Sequence, residues 1–411
     1  MPHQPTPGAV APCPESASPA LVDRGAPACH AWDVMPTASL PPDGATERAR
    51  AWAATMHGHA ASSAVRAHAD VRSGIDTGAP PAREAREEAE ASRLRDGATL
   101  ARGAGDRATP EEPDPWRTCF ERDRDRIVHS TAFRRLAGKT QVVVYPTDHQ
   151  RTRLTHALEV AQVARSIAAG VGANVVLADA IALGHDCGHG PGGHASEDAF
   201  DAFLPDGFEH GPWGADMALT SLNLCRETLD GIRNHSWSRP APATIEGEIV
   251  SWADRIAYCA HDLEDALAAG IVAPSDIPAG IAATAGTALR DQVGTFIRAV
   301  VTTTCATGQV GMDAETAAGL AALRAFNYER IYTRPESLAQ ARAVIGVLQG
   351  LVTYYTGRPA DLPDDFARPD DPLMGAITYV AGMTDRFAFD RAVDLLGWNP
   401  DHLPTGIGHG A

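Results

Sequence analysis

RTRLTHALEVAQVARSIAAGVGANVVLADAIALGHDCGHG, residues 151–190, decides the fold class. In its first half His156, Val160, Val163 and Ile167 recur at helical spacing and share one face. After the Gly-Ala-Asn break at 172–174, Leu177, Ile181 and His185 form a second row of the same kind. Two helices follow, near 151–169 and 174–187, each with a histidine on its apolar stripe. One histidine so placed is more often a core residue satisfied by a hydrogen bond. Two of them, with Asp186 adjacent to the second, point to a site.

Outward from this stretch the pattern stays helical. RTCFERDRDRIVHSTAFRRLAG (117–138) reads as a charged helix with Ile127, Phe133 and Leu136 facing inward. KTQVVVYPTD (139–148) is β-prone and ends in Pro and Asp, which predicts a small ribbon or extended loop. Further helices are expected near 196–203, 212–225, 244–269, 285–304, 313–331, 336–355, 371–382 and 387–396. Too few strand-forming segments remain for a major sheet, so the fold class is all-α with at most a short β-ribbon. Residues 1–112 are rich in Ala, Pro, Gly and charged groups, with little apolar surface to bury, and are expected to be disordered. Within them, 84–98 could form only a transient charged helix. The folded domain is placed at 113–400, with its core at about 150–270 and a tail at 401–411.

Composition narrows the function classes. The 411 residues carry 35 Lys+Arg against 52 Asp+Glu, a formal net charge of −17. That balance argues against general nucleic-acid binding through a basic surface and leaves only a local basic groove open. No apolar run approaches the roughly 18 residues of a spanning helix. The N-terminus, MPHQPTPGAVAPCPES, lacks a secretory signal pattern. The seven cysteines are scattered without a CxxC pair, which predicts a reduced, cytoplasmic protein without a cysteine metal site. Lys139 is the only lysine among the 35 cations.

The chemistry concentrates in three strings: RTRLTH (151–156), GHDCGHGPGGH (184–194) and WADRIAYCAHD (252–262). They supply His156, His185, Asp186 and Asp254, two imidazoles and two carboxylates suited to a divalent metal. Asp254, Tyr258 and Asp262 recur at intervals of four along one helix. A solvated face would look the same. However, Ile249, Val250, Ile256, Ala257 and Leu263 surround them, and a partly buried carboxylate needs a cation or donors. His189 follows His185 by one turn, and Glu197 follows His194 by three residues, close enough to fix its tautomer and raise its pKa as a general acid requires. The intervening GPGG (190–193) is a bare backbone loop without the phosphate-loop pattern. Arg134, Arg135, Arg151, Arg153 and Arg255 cluster around the same strings; some are ordinary surface arginines, but arginine forks suit phosphate oxygens. Metal-assisted phosphoester hydrolysis is the chemistry to which these residues point.

Longer strings carry a resemblance. FERDRDRIVHSTAFRRLAGKTQV (120–142), RTRLTHALEVAQVARSIA (151–168), GHDCGHGPGGHASEDAF (184–200), LNLCRETLDGIRNHS (222–236), ADRIAYCAHDLEDAL (253–267) and YVAGMTDRFA (379–388) resemble the HD-domain deoxynucleoside triphosphate triphosphohydrolases. The similarity is to their deoxyguanosinetriphosphate triphosphohydrolase-like subgroup and spans about 117–397. It implies an HD-domain helical fold with His156, His185, Asp186 and Asp254 as metal ligands. The metal implied is Mg or Mn, with Fe, Co and Zn also compatible. It places His189, His194, Glu197 and His210 around the scissile phosphate, with His194 and Glu197 as the proton-handling dyad. Arg153 and Arg255 would hold phosphate oxygens, while Gln141, Tyr258 and Asp262 would contact the deoxyribose. The implied reaction releases a deoxynucleoside and tripolyphosphate from a dNTP and contributes to dNTP pool control. A dNTP effector and a homo-oligomer are implied as partners. Two strings depart from the family pattern: HGPGGH replaces HPPFGH, with Gly192 where phenylalanine is common, and GPWG (211–214) replaces a polar run containing asparagine. The rival readings are another HD phosphohydrolase (a 5′-nucleotidase or phosphodiesterase) and a low-turnover regulator that binds nucleotide or single-stranded DNA.

Overall fold

A computed structural model describes residues 46–61, 63–142 and 150–404. The chain divides into two units, one ending at Gly78 and the other beginning at Ala79. In the first, Thr46 caps helix α1 (Glu47–Ala54), its hydroxyl accepting from Ala49 N at 3.2 Å. Strands β1 (His59–Ala61) and β2 (Ala64–Arg66) form an antiparallel hairpin in register His59 to Arg66. Neither α1 nor β2 buries a side chain, so the described residues of this unit show no apolar core.

The second unit is helical. It starts with α2 (Arg83–Ala91), α3 (Cys119–His129) and α4 (Thr131–Arg135). Ser130 separates α3 from α4 by capping the latter, so the single helix expected over 117–138 is broken, although Ile127, Phe133 and Leu136 are buried as expected. Next come α5 (Arg153–Val171), which ends at a left-handed Gly172, and α6 (Val175–Gly184), whose N–H groups are capped by the Asn174 side chain at 3.1 Å. After α7 (Ala195–Asp201) and the short α8 (His210–Trp213) stand α9 (Arg226–Asn234) and α10 (Ile245–Ala268). The chain finishes with α11 (Ala279–Ala285), α12 (Leu289–Thr307), α13 (Ala314–Asn327), α14 (Pro335–Gly357), α15 (Pro372–Ala381) and α16 (Asp385–Leu396).

Two apolar clusters organise these helices. One gathers α3, α5, α6, α9, α10, α12 and α13, with α5 between α6 and α10; its centre includes Val160, Ile167, Leu177, Ile181, Ile249 and Ile256. The other joins α7 to α14, α15 and α16 through Phe200, Val344, Leu348, Leu351, Ile377 and Phe389. The functional loops lie where the two clusters meet.

Three expectations need correction or restriction. Residues 79–112 belong to the folded unit, attached mainly by polar side chains with buried Ala101 as their one contribution to the apolar core. Fully buried Glu246 on α10 accepts from Thr99 N at 3.1 Å, Thr99 Oγ1 at 2.7 Å and Asn174 N at 2.8 Å. Arg107 pairs with buried Asp123 on α3 at 2.6 Å and donates to Cys119 O and Asn223 O. A composition argument counts apolar surface and misses such anchors. The helix expected at 212–225 is replaced by a π-helical turn, a 3₁₀ turn and then α9, because Asn223 adopts φ 49° and its side chain bonds both backbone groups of Thr109. The ribbon expected at 139–148 falls largely outside the described residues; its described part forms one bridge, Thr140 to Thr152. Residues 1–45 and most of the expected tail also lie outside the described residues.

Candidate active site and metal centre

α5, α6 and α10 aim His156, His185 and Asp254 at one point. His156 Nε2 lies 3.1 Å from Asp254 Oδ1, and His185 Nε2 lies 3.7 Å from the same oxygen. Asp186 completes the group, 3.4 Å from His185 Nε2 and 3.9 Å from His156 Nε2. The tautomer of His185 is fixed: its Nδ1–H donates to Ala182 O at 2.6 Å, leaving a buried Nε2 lone pair without a hydrogen-bond partner. Such an atom beside two carboxylates suits a divalent cation, and His156, His185 and Asp254 present ligand atoms within 4.8 Å of one another. The donor set therefore fits the metal that the sequence implies. The Asp186 carboxyl is buried, which alone would raise its pKa, yet Arg153 and the neighbouring histidines hold it well below its usual range.

A second tier surrounds this centre. His189 Nε2 sits 3.2 Å from Asp186 Oδ1, and its ring stacks on His210 at 3.8 Å. The dyad differs from the sequence expectation. Glu197 accepts from His210 Nδ1 at 2.7 Å and from His210 N at 2.9 Å, because the start of α8 lies over α7. His194 instead faces Arg153, with Nδ1 3.5 Å from Nη2, and its ring opens to the cavity. Desolvation by the cavity walls and the Arg153 charge outweigh Glu197 and lower the His194 pKa to about 4, the reverse of the rise expected from sequence.

The cavity over these residues measures about 460 Å³, and Gln141, Arg153, Arg255, Tyr258 and Asp262 all line it. Arg153 is 1% exposed and bonds Asp186 at 2.7 Å. Arg255 lies 3.5 Å above the Trp237 ring. Tyr258 accepts from Arg324 Nε at 2.8 Å, and Asp262 accepts from Tyr332 Oη–H at 2.5 Å. Gln141 presents a buried, unpartnered Oε1. Arg134 and Arg151 turn elsewhere: Arg134 donates to His129 O, and Arg151 pairs with Glu159, Glu264 and Asp265.

Several residues escaped the sequence reading. His235, at the end of α9, donates from Nδ1 to Ile232 O at 2.8 Å and places Nε2 3.0 Å from His210 Nε2. It forms a ligand-capable group with His185 and Asp186. Its local signal is the histidine of GIRNHS (231–236), to which spacing alone assigns no role. Trp237, Arg324 and Tyr332 carried no local signal, because only tertiary packing brings them to the wall.

Burial raises the Asp262 pKa to about 7 from an ordinary 3.8. A carboxyl raised on folding stabilises the protein below its unfolded pKa, and that contribution is lost as pH rises through the folded pKa. Asp262→Asn, which keeps an acceptor for Tyr332, is thus expected to raise Tm above wild type at pH 8 and to lose that advantage near pH 4. Equal Tm differences at both pH values would refute the assignment.

Residues 153–259 match the HD domain family, and residues 310–393 match the phosphohydrolase-associated domain. A deoxyguanosinetriphosphate triphosphohydrolase-like protein of Caldanaerobacter subterraneus subsp. tengcongensis is 39% identical over 333 residues, covering 79% of this chain and 96% of that protein. One of the same description from Clostridium perfringens is 39% identical over 296 residues, 67% of this chain and 86% of its own. The chain belongs to this deoxyguanosinetriphosphate triphosphohydrolase-like family of HD-domain hydrolases. Within the family frame, the HD match holds the whole H…HD…D set, while Arg324, Tyr332 and Val344 come from the associated domain. The Gly192 departure has a local cause. Its φ is +73°, and a Cβ there would lie 2.5 Å from Val344 Cγ1. Among the described residues no helix is long and apolar enough to cross a membrane.

Proposed function

We propose that the protein hydrolyses deoxynucleoside triphosphates, dGTP or several dNTPs, to deoxynucleoside and inorganic tripolyphosphate. The observation that carries this reading is the mixed lining of one cavity: the His/Asp centre, Arg153 and His194 share it with the Tyr258–Arg324 and Asp262–Tyr332 pairs. A polyanion suits the cations of the first group and a hydroxylated sugar the hydrogen-bonding groups of the second. A divalent ion held by His156, His185, Asp186 and Asp254 would supply Lewis acidity at the α-phosphate.

The chain's own groups do the rest. Arg255, with one face on Trp237, meets phosphate oxygens as a planar fork. Arg153 keeps Asp186 ionised and sets positive charge beside His194. A bound triphosphate counters that charge, favours the protonated imidazole, and lets His194 donate its proton to the departing 5′-oxygen. Glu197 orients His210, whose stacking on His189 fixes the wall behind the reacting phosphate. Asp262 accepts from a sugar hydroxyl, and the Tyr258 ring fills space beside the ribose.

Product analysis tests the reading. Each of the four dNTPs is incubated with the protein and Mg²⁺ or Mn²⁺, and nucleoside and phosphate products are resolved. Deoxynucleoside with tripolyphosphate is the expected result. Orthophosphate or a nucleoside monophosphate would move the protein to another HD phosphohydrolase chemistry. Salt-sensitive single-stranded DNA binding without any turnover would favour the regulator reading. The same preparation, in light scattering with and without dNTP, tests the homo-oligomer and the dNTP effector that belong to this reading.

A further inference from the structure

The geometry points to Asp385, acting together with Lys139, as a positioning residue that fixes the catalytic loop 189–194 to the C-terminal helices. This inference rests on the proposed hydrolysis for its kinetic consequence. The loop carries His189 and His194 but consists otherwise of Gly190, Pro191, Gly192 and Gly193, which have no polar side chains to bond it in place. The buried Ser196 hydroxyl, which accepts from Gly190 N at 3.0 Å and donates to Gly193 O at 2.6 Å, holds its two ends together, so what remains to be fixed is the position of this turn against the rest of the fold.

Asp385, at the first turn of α16, supplies that attachment. It is 3% exposed, and it accepts from Gly192 N at 2.8 Å on one oxygen. Its other oxygen accepts from Thr140 N at 2.9 Å and from the Thr140 hydroxyl. Lys139, also 3% exposed, spans the same junction: its ammonium donates to His189 O and to Ala381 O, the latter at 3.0 Å at the end of α15. Lys139 O in turn accepts from Arg153 N at 3.2 Å, at the start of α5. One carboxylate and one ammonium thus tie the loop, the α5 terminus and α15–α16 into a single unit. The fit is close: a Cβ at Gly193 would meet Arg153 Nη2 at 2.6 Å and Thr140 O at 2.9 Å, and one at Gly138 would meet Thr384 Cγ2 at 2.8 Å. Neither Asp385 nor Lys139 lines the cavity, so neither touches a substrate. Their effect passes through the position of His189 and His194.

The single lysine provides a direct reporter. The full chain is treated with an amine-acetylating succinimidyl ester, and acetylation of Lys139 and of the α-amino group is followed by peptide mass spectrometry. Wild type, Asp385→Asn and Asp385→Ala are compared, with bound metal, Tm, kcat and KM measured on the same samples. The clamp predicts that Lys139 reacts far more slowly than the α-amino group in wild type and several-fold faster in Asp385→Ala. It also predicts unchanged bound metal, KM within a few-fold, and kcat lower by about 10²-fold, the effect of a reacting group misplaced by about 1 Å. Asp385→Asn, which keeps one acceptor oxygen, should fall between. A folded Asp385→Ala with wild-type kcat would overturn the inference. So would a loss of kcat that only tracks lost metal or lost Tm, or a Lys139 as reactive in wild type as the α-amino group. If wild type hydrolyses no nucleotide, the proposed function fails by itself. The labelling rates still decide the clamp: faster Lys139 acetylation in Asp385→Ala upholds it, and an unchanged rate refutes it.

Discussion

Asp254→Ala is expected to abolish divalent metal binding and hydrolysis together while leaving the helical fold in place. Asp254 Oδ1 is the atom that both His156 Nε2 and His185 Nε2 approach, so its removal opens the ligand set on the α10 side. The carboxylate is 22% exposed at the cavity, which makes its loss tolerable to the core. The unpaired His156 nitrogen costs about 1–3 kcal/mol, within the reach of a domain this size. A divalent ion held there would supply Lewis acidity and a more acidic water, so its loss should leave no measurable turnover. Metal analysis of the purified variant, with circular dichroism as the fold control, checks the result. Full metal occupancy in a folded Asp254→Ala would remove the residue from the ligand set. Asp186 is the poorer choice for this test, because its removal strands the buried Arg153 guanidinium and confounds metal loss with unfolding.

His194→Ala is expected to keep its metal and still lose about 10²-fold or more in kcat, the range of general acid catalysis. The residue belongs to none of the hydrogen-bonded pairs that hold the ligands. Its Nδ1 faces Arg153 at 3.5 Å, and its ring opens to the cavity. The pH profile gives the sharper readout. In the free protein the His194 pKa is lowered to about 4, so its protonated fraction is lost as pH rises through about 4. A substrate that counters the Arg153 charge moves that limb upward in the complex. Wild-type kcat should therefore keep its acid-dependent limb at higher pH than kcat/KM does. Both limbs should vanish in His194→Ala. A variant with the wild-type rate, or with the same limbs at lower rate, would transfer the acid role elsewhere in the second tier. His210, oriented by Glu197 at 2.7 Å, would then be the group to examine.

The distinction between His194 and His210 marks the limit of reading spacing alone. Glu197 lies three residues after His194, which suggested a pair. On α7 its carboxylate turns instead to the first N–H and ring of α8, since an exposed helix terminus offers a donor in a fixed direction. The arginines divide in the same way. Five stood near the motifs in sequence, but only the two that helix phase turns inward, Arg153 and Arg255, line the cavity. Disorder through residue 112 was inferred from scarce apolar side chains. The segment from residue 79 is held instead by Glu246 and Asp123, buried acceptors that composition does not reveal.

The H…HD…D set was legible because helical periodicity is a local property. Apolar neighbours three and four residues away fix which face is buried, and the face fixes where His156, His185 and the carboxylate row of α10 must point. The all-α class and the long helices around the site follow from the same signal. Everything that depends on distant segments was settled only by tertiary packing. Tyr332 reaches Asp262 across 70 residues, and Asp385 reaches Gly192 across 193. Partners that far apart share no period, and only helix packing, inside the first apolar cluster for Tyr332 and at the second for Asp385, brings their polar atoms within hydrogen-bonding distance. The sequence by itself thus determined the face on which three helices carry the H…HD…D set; the tertiary structure decided which residues close the cavity and what holds its glycine loop.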